Sequence, residues 1–300
     1  MCKCQNRLHC YEVRKMKHKS FVIFILTHGR ASNVKTLKTL RKAGYTGKVI
    51  LVIDNEDEME EDYYRIYGKE NVYMFDKQDI ADRYDQMDNF EERRTIFYAR
   101  NACFKIAGKL GYKYFLELDD DYTSFEYRMI QNKRLVGLPV KTFDEICDIM
   151  LDFLDITQAY TVAFAQGGDL IGGKDNKRFK DKIIRKAMNS FFCRADRQFE
   201  FKGRVNEDVN TYCLLGTQGK LMFTYTDISL TQVQTQKQKG GMSEQYLDSG
   251  TFLKSFYSVM CCPSCVTVNM MGGSKNNMRL HHNISWNNCT PKIISDRYKK

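Results

Sequence analysis

The sequence predicts an α/β fold: a mostly parallel, Rossmann-type sheet with helices on both faces and a mixed second half. Three observations predict it. Short apolar runs alternate with segments of helical periodicity through the first half, an order that needs crossover connections and hence parallel strands. The runs are continuous, as strands covered on both faces must be. Each run stops at polar residues, which places charged side chains at the strand carboxyl ends, where open sheets of this kind bind ligands.

Residues 21–26, FVIFIL, form the first strand and run into Thr27-His28-Gly29-Arg30. Val34, Leu37 and Leu40 then recur at helical spacing, and Gly44 ends that helix. Lys48–Ile53 is the second strand, stopping at Asp54. Residues 57–67 read as an acidic helix and Asn71–Phe75 as a short third strand. A long charged helix is expected from about Asn89 to Leu110, closed by Gly111, before the strand Tyr114–Leu118 and the triplet Asp119-Asp120-Asp121. Thr142 and Glu145 have the spacing of a capping box. The helix it opens carries an apolar stripe of Phe143, Ile146, Ile149, Met150, Phe153 and Leu154. Tyr160–Ala165, Asn189–Arg194 and Lys220–Thr226 read as strands, with a short helix at Glu207-Asp208. Residues 229–250, rich in Gln, Thr, Lys, Gly and Ser, read as a long loop.

Composition bounds the function. With 43% hydrophobic and 28% charged residues and only 3 Pro, the chain is an ordinary globular one. No apolar run approaches the ~20 residues of a bilayer span, so no membrane partner is expected. The polar, basic first twenty residues lack the pattern of a secretory leader. Eleven scattered Cys, an odd number, suit reduced thiols in a cytoplasmic compartment, the host's if the protein is viral. Lys plus Arg number 47 against 37 Asp plus Glu, a net charge of +10. The excess concentrates in 1–20 and 174–186, whereas 54–62 is acidic. A basic balance suits a polyanion such as nucleic acid or a nucleotide, although a solvated surface would look the same. Cys2, Cys4, His9 and Cys10, and separately Cys261, Cys262 and Cys265, could form metal knots. Neither group has paired C-x2-C spacing, so no zinc is assigned.

The strongest local signal is the apolar strand 114–118 running into three aspartates. Adjacent carboxylates repel, a cost tolerated most readily when a divalent cation binds, and hard oxygen ligands suit Mg²⁺ or Mn²⁺. Asp119 and Asp121 would then share a side as a D-x-D clamp; the plainer reading is an acidic turn. Asp54 could accept from a ribose hydroxyl or simply end a turn. His28-Gly29-Arg30 offers a close-approach glycine and a cation for a pyrophosphate. Arg100 could reach a nucleotide or pair with acids. Glu207 or Asp208 could act as general base, or could complement a helix dipole. His281 or His282 could give a metal one imidazole, or could be a surface pair. Gly167-Gly168-Asp169 could admit an acceptor or form an ordinary turn.

Together these segments resemble the GT-A glycosyltransferases. More narrowly, Arg204-Val205-Asn206-Glu207-Asp208-Val209-Asn210-Thr211 and Lys239-Gly240-Gly241-Met242 resemble the TET/JBP-associated glycosyltransferases, found largely in bacteriophages. The resemblance spans about residues 20–290 and implies a GT-A-like domain over 21–290. Residues 21–125 would be its nucleotide-sugar half and 126–290 its acceptor half, between a basic segment at 1–20 and a basic tail at 291–300. It implies a metal-dependent enzyme using a nucleotide sugar, a UDP-sugar by preference, with Mn²⁺ or Mg²⁺ as cofactor. Asp119, Asp121 and His281 or His282 would match the metal site, and Thr27, His28, Arg30, Asp54, Arg100, Asp119 and Asp120 the donor site. Glu207 and Asp208 would match the catalytic acids near the acceptor. The implied acceptor is a hydroxymethylated pyrimidine in double-stranded phage DNA, which Gly168, Asp169, Lys177, Arg178 and Lys180 would contact. Readings that stay open are a protein, lipid or polysaccharide acceptor, a nucleotidyltransferase, and a non-catalytic nucleic-acid-binding module.

Overall fold

A computed structural model describes residues 16–88, 93, 95–233, 243–272, 278–293 and 296. Ten strands join in one sheet: β1 (Phe21–Leu26), β2 (Val49–Asp54), β3 (Val72–Phe75), β4 (Tyr114–Asp119), β5 (Tyr122–Gln131), β6 (Arg134–Pro139), β7 (Thr161–Ala165), β8 (Ile183–Ile184), β9 (Ser190–Arg194) and β10 (Met222–Gln232). Their order is β3-β2-β1-β4-β9-β7-β10-β5-β6, with β8 paired to β10. The first four are parallel, as the strand–helix alternation requires. The second half is mixed: β9 runs antiparallel to β4 and β7, whereas β7 and β10 are parallel.

Every residue of β1 is buried, and its alternation divides the core. Phe21, Ile23 and Ile25 face helices α1 (Lys35–Lys42), α2 (Glu60–Tyr67) and α5 (Phe143–Thr157). Val22, Phe24 and Leu26 face α3 (Lys77–Arg83), α4 (Phe97–Lys109) and α7 (Glu207–Thr217). Register then levels the strand ends. Leu26 sits opposite Val52 on one side and Asp119 on the other, and Asp54 sits opposite Phe75. Thr27, Asp54 and Asp119 therefore emerge along one edge.

Several expectations need correction. The long helix begins at Phe97, not Asn89; just before it, Thr95 Oγ1 accepts from the Phe97 amide (3.1 Å) and donates to the Arg204 carbonyl (3.0 Å), tying the helix start to the segment before α7. Residues 89–92 and 94 lie outside those described. Thr142 does precede α5 but makes no capping bond; its hydroxyl meets the Tyr127 hydroxyl at 2.7 Å. Ile149 is 61% exposed, and the buried stripe of α5 runs instead through Phe143, Ile146, Cys147, Met150, Leu151 and Leu154. The supposed loop at 229–250 is the end of β10 and the start of α8 (Ser243–Cys261), with 234–242 outside the described residues. Composition misled at 229–232 because its polar residues are paired in the sheet: Ile228–Gln232 runs antiparallel to β5, and Ser229 accepts from Arg128. Thr224 and Thr226, inside the expected strand 220–226, donate to the Lys186 and Lys182 carbonyls. Helix α3, capped by Asp76, and the β5–β6 hairpin carried no signal that was read. A closing hairpin joins β11 (Val266–Gly272) to β12 (Met278–Ile284).

Candidate active site

The aspartate turn is built from both sides. Asp119 ends β4, and Asp120 and Asp121 turn the chain into β5. From α1, Thr36 braces the backbone: its amide donates to the Asp120 carbonyl (3.1 Å), its hydroxyl donates to the Asp119 carbonyl (2.6 Å) and accepts from the Tyr122 amide (2.9 Å). The Asp120 carboxylate is buried and fully engaged, accepting from Thr27 Oγ1 at 2.7 Å and Arg30 Nη1 at 2.9 Å. Tyr63 completes this clasp, its hydroxyl 3.0 Å from Thr27 Oγ1 and accepting from the Arg30 amide. Asp120 thus holds the loop after β1, leaving Asp119 and Asp121 to face the cleft. Burial pushes Asp119 up to about 6; Arg100 opposes the rise, and the charges of Asp121 and Asp120 add to it. Asp121 is likewise pushed up to about 6, by burial and then by Asp120, against the pull of Arg30. Two carboxylates in this state gain from a cation.

A second clasp sits at the end of β2. Asp54 Oδ2 is 2.9 Å from His28 Nδ1, and Oδ1 is 3.3 Å from Lys77 Nζ. Burial alone would raise the Asp54 pKa, but His28 and Lys77 reverse that and hold it below its ordinary value. The same hydrogen bond raises His28. Gly29, at φ +65°, turns its amide onto Asp57 Oδ2 at 2.8 Å, a left-handed conformation that favours glycine.

Arg100 joins the two halves of the cleft. Its guanidinium is 2% exposed, lies over Phe191 and Phe201, and reaches Glu207 Oε1 at 3.1 Å and Asp119 Oδ1 at 3.4 Å. Burial works against its charge, and Glu207 and Asp119 more than restore it. Glu207 opens α7; burial pushes it up to about 7, Arg100 opposes, and neighbouring Asp208 adds. Asp208 itself accepts from the Val209 amide at 2.7 Å. Asn206, in the left-handed region at φ +57°, donates to the Lys254 carbonyl (2.9 Å) and meets His282 Nδ1 at 3.3 Å. Burial, then the neighbouring His281, lowers the His282 pKa to about 3, so its ring is neutral.

Placement of the other expected residues is less uniform. His282 turns toward the start of α7, whereas the His281 ring rests on the His282 carbonyl at 2.6 Å. Among the described residues, neither imidazole forms a group of three metal-binding side chains within 4.8 Å together with Asp119 and Asp121. Asp169 is buried and ion-paired with Lys186 and, at 3.6 Å, with Arg178, while accepting from the Gln166 amide. Its carboxylate braces the turn and leaves no open face for an acceptor. Gly168 is exposed, with open space where a Cβ would stand. Lys177, Arg178 and Lys180 are exposed on the short helix α6 (Lys177–Asp181), with Lys180 3.7 Å from Asp175. Of the other basic segment only 16–20 is described, and there Lys17 pairs with Asp152 at 2.7 Å. Sequence reading overlooked Thr36, Tyr63 and Lys77, and it grouped Lys186 with the basic stretch 174–186 instead of with Asp169. Lys77 had a usable signal, since it stands just beyond the carboxyl end of a parallel strand; Thr36 and Tyr63 are ordinary helix residues in sequence.

The chain resembles, at 7% identity over 89% of its length and 88% of the other chain, Mycobacterium tuberculosis glucosyl-3-phosphoglycerate synthase in complex with Mg²⁺ and uridine diphosphate, with a TM-score of 0.46. A complex of that enzyme with Mn²⁺, uridine diphosphate and phosphoglyceric acid gives the same identity and TM-score, covering 89% and 87%. S. aureus TarS 1–349 is 13% identical over 70% of this chain and 59% of that one, at a TM-score of 0.40. No curated protein matches. No helix among the described residues is long and apolar enough to cross a membrane. The TET-associated glycosyltransferase model matches residues 21–241, most of the chain and all of the strand-end clusters described above, and the protein belongs to that family of glycosyltransferases.

Proposed function

We propose that the protein moves a sugar from a UDP-sugar, held with Mn²⁺ or Mg²⁺, onto the hydroxymethyl group of a modified pyrimidine in double-stranded DNA. One observation carries the reading: Asp54, Asp119 and Asp121 gather with Arg30 and Arg100 at the level carboxyl ends of parallel strands. Hard oxygen donors with raised affinity for positive charge fit a divalent ion, and Asp119 and Asp121 would hold it. The ion would stabilise negative charge as the nucleoside diphosphate leaves.

The remaining steps belong to the chain's own side chains. Arg30, anchored by Asp120, is the donor-side cation on the first loop; Asp54, already oriented by His28 and Lys77, is the acid available to the nucleoside. Arg100 keeps a fixed positive charge between the donor aspartate and Glu207. A carboxyl poised at about 7 can take the acceptor hydroxyl's proton as the bond to the anomeric carbon forms, which assigns Glu207 as base. The exposed cations of α6 support a polyanionic acceptor, and the family's name supports DNA.

A screen of nucleotide sugars with Mn²⁺, read by mass change on hydroxymethylcytosine duplex, tests the proposal. A glycosyl adduct on the base, dependent on Asp119, is the expected result. Donor turnover without DNA modification would move the acceptor to protein, lipid or polysaccharide. Absence of turnover with every donor would leave a binding module and refute the catalytic reading.

A further inference from the structure

Four cysteines far apart in sequence meet where the C-terminal segment packs on α7. Cys213 lies on α7; Cys262 and Cys265 flank the turn between α8 and β11; Cys289 follows β12. All four are buried, at 0–4% exposure, and all are free thiols. The sulfurs of Cys213, Cys265 and Cys289 lie within 4.8 Å of one another. Cys262 is in side-chain contact with both Cys213 and Cys265. A tetrahedral zinc with Zn–S bonds of about 2.3 Å sets its sulfurs about 3.8 Å apart, so Cys213, Cys265 and Cys289 need only a small inward movement, while Cys262, whose sulfur also stands 3.8 Å from Cys261 Sγ, has further to close.

The surroundings are those of a ligand knot. Cys262-Pro263-Ser264-Cys265 forms a tight turn, with the Cys265 and Val266 amides both donating to the Cys262 carbonyl (3.1 and 2.9 Å). Gly216 leaves room for the fourth thiol: a Cβ there would stand 2.8 Å from Cys289 Sγ and 2.7 Å from Arg185 Nη2. Arg185 places its guanidinium 3.8 Å from Cys289 Sγ and donates to the Cys289 carbonyl, a cation suited to an anionic cluster. Sequence spacing concealed the site because only one C-x2-C pair is local.

We propose that Cys213, Cys262, Cys265 and Cys289 bind one structural Zn²⁺. Binding displaces four thiol protons, leaving a tetrathiolate of net charge −2 that Arg185 offsets. A site closed by four sulfurs has no position for substrate, so its work is to tie the α8–β12 segment to α7. That helix starts at Glu207, and β12 carries His282, so the zinc fixes the acceptor side of the cleft from below.

Metal analysis of the full-length protein, purified without chelator, tests this. The expected content is about one zinc per chain, falling below ~0.1 in both Cys262→Ser and Cys265→Ser. Cys103→Ser, at a buried thiol on α4 outside this cluster, and Asp119→Asn should both keep the metal. If the serine variants fail to fold, cobalt exchange into the wild type decides: thiolate-to-cobalt absorption is expected. Three results would overturn the proposal: no metal in the wild type and no rise in melting temperature on adding zinc; zinc retained by both serine variants; or an intact mass showing these thiols paired as disulfides.

Discussion

Replacing Asp119 by Asn should make the protein more stable and unable to use metal. In the folded state the Asp119 carboxyl is pushed from 3.8 to about 6, chiefly by burial. Each unit is about 1.4 kcal/mol, so the charge costs up to about 3 kcal/mol at neutral pH. The side chain keeps 23% of its surface in solvent, which screens part of this and leaves about 1–2 kcal/mol. For a chain of this length that is a rise of about 2–4 °C in melting temperature. The sign follows from proton binding: between pH ~4 and ~6 the folded state holds more protons than the unfolded one, so wild-type stability from this group falls as pH rises through that window. The advantage of the variant should therefore be full at pH 7.5 and vanish near pH 4. Mn²⁺ reverses the order, since a ligand at 100 times its Kd stabilises the wild type by about 2.7 kcal/mol and the variant by far less. Calorimetric or dichroic melting at pH 7.5 and 4.5, with and without Mn²⁺ and UDP, reads all of this. A variant that melts lower without metal at pH 7.5, or that gains as much from Mn²⁺ as the wild type, refutes the reasoning.

Further outcomes follow from the same cleft. Arg100→Met leaves Glu207 and Asp119 buried without their cation and should cost about 3–5 kcal/mol at pH 7.5, partly recovered at pH 5 as the carboxyls protonate; melting curves at both pH values check it. Glu207→Gln should lower kcat by about 10²–10⁴-fold and abolish the rise of rate with pH centred near 7, while a surviving rise would assign the base elsewhere. Reversing charge on α6, with Lys177→Glu and Arg178→Glu together, should weaken duplex binding and reduce the slope of log affinity against log salt by about 2; an unchanged slope removes α6 from the interface.

Much of the parallel half was legible because it rests on periodicity. The continuous runs at 21–26, 48–53 and 114–118 predicted strands, found at 21–26, 49–54 and 114–119, and parallel strands level their carboxyl ends, so Thr27, Asp54 and Asp119 could be grouped from sequence. Partners that meet through tertiary packing left no such trace. Thr36 braces the aspartate turn from 83 residues away, and Arg100 meets Glu207 only because α4 and α7 share one face of the sheet. The polar end of β10 was equally opaque: 220–226 reads as a strand, but 229–232 reads as loop until it is seen paired with β5. The surroundings of the residues expected on the acceptor side were not legible either. Asp169 looked available and is buried against Lys186, and the two histidines are parted by what each ring touches.

The clasp at Asp120 divides labour within one short motif. Under the proposed function its outer neighbours carry the chemistry, whereas the middle carboxylate anchors a hydroxyl and a guanidinium from the loop after β1. A library of substitutions sorted once by abundance in cells and once by turnover should thus split the triplet, with 119 and 121 silent in the first sort and 120 depleted in both. Selection acting on such a motif would tie its central letter to solubility and its flanking letters to catalysis.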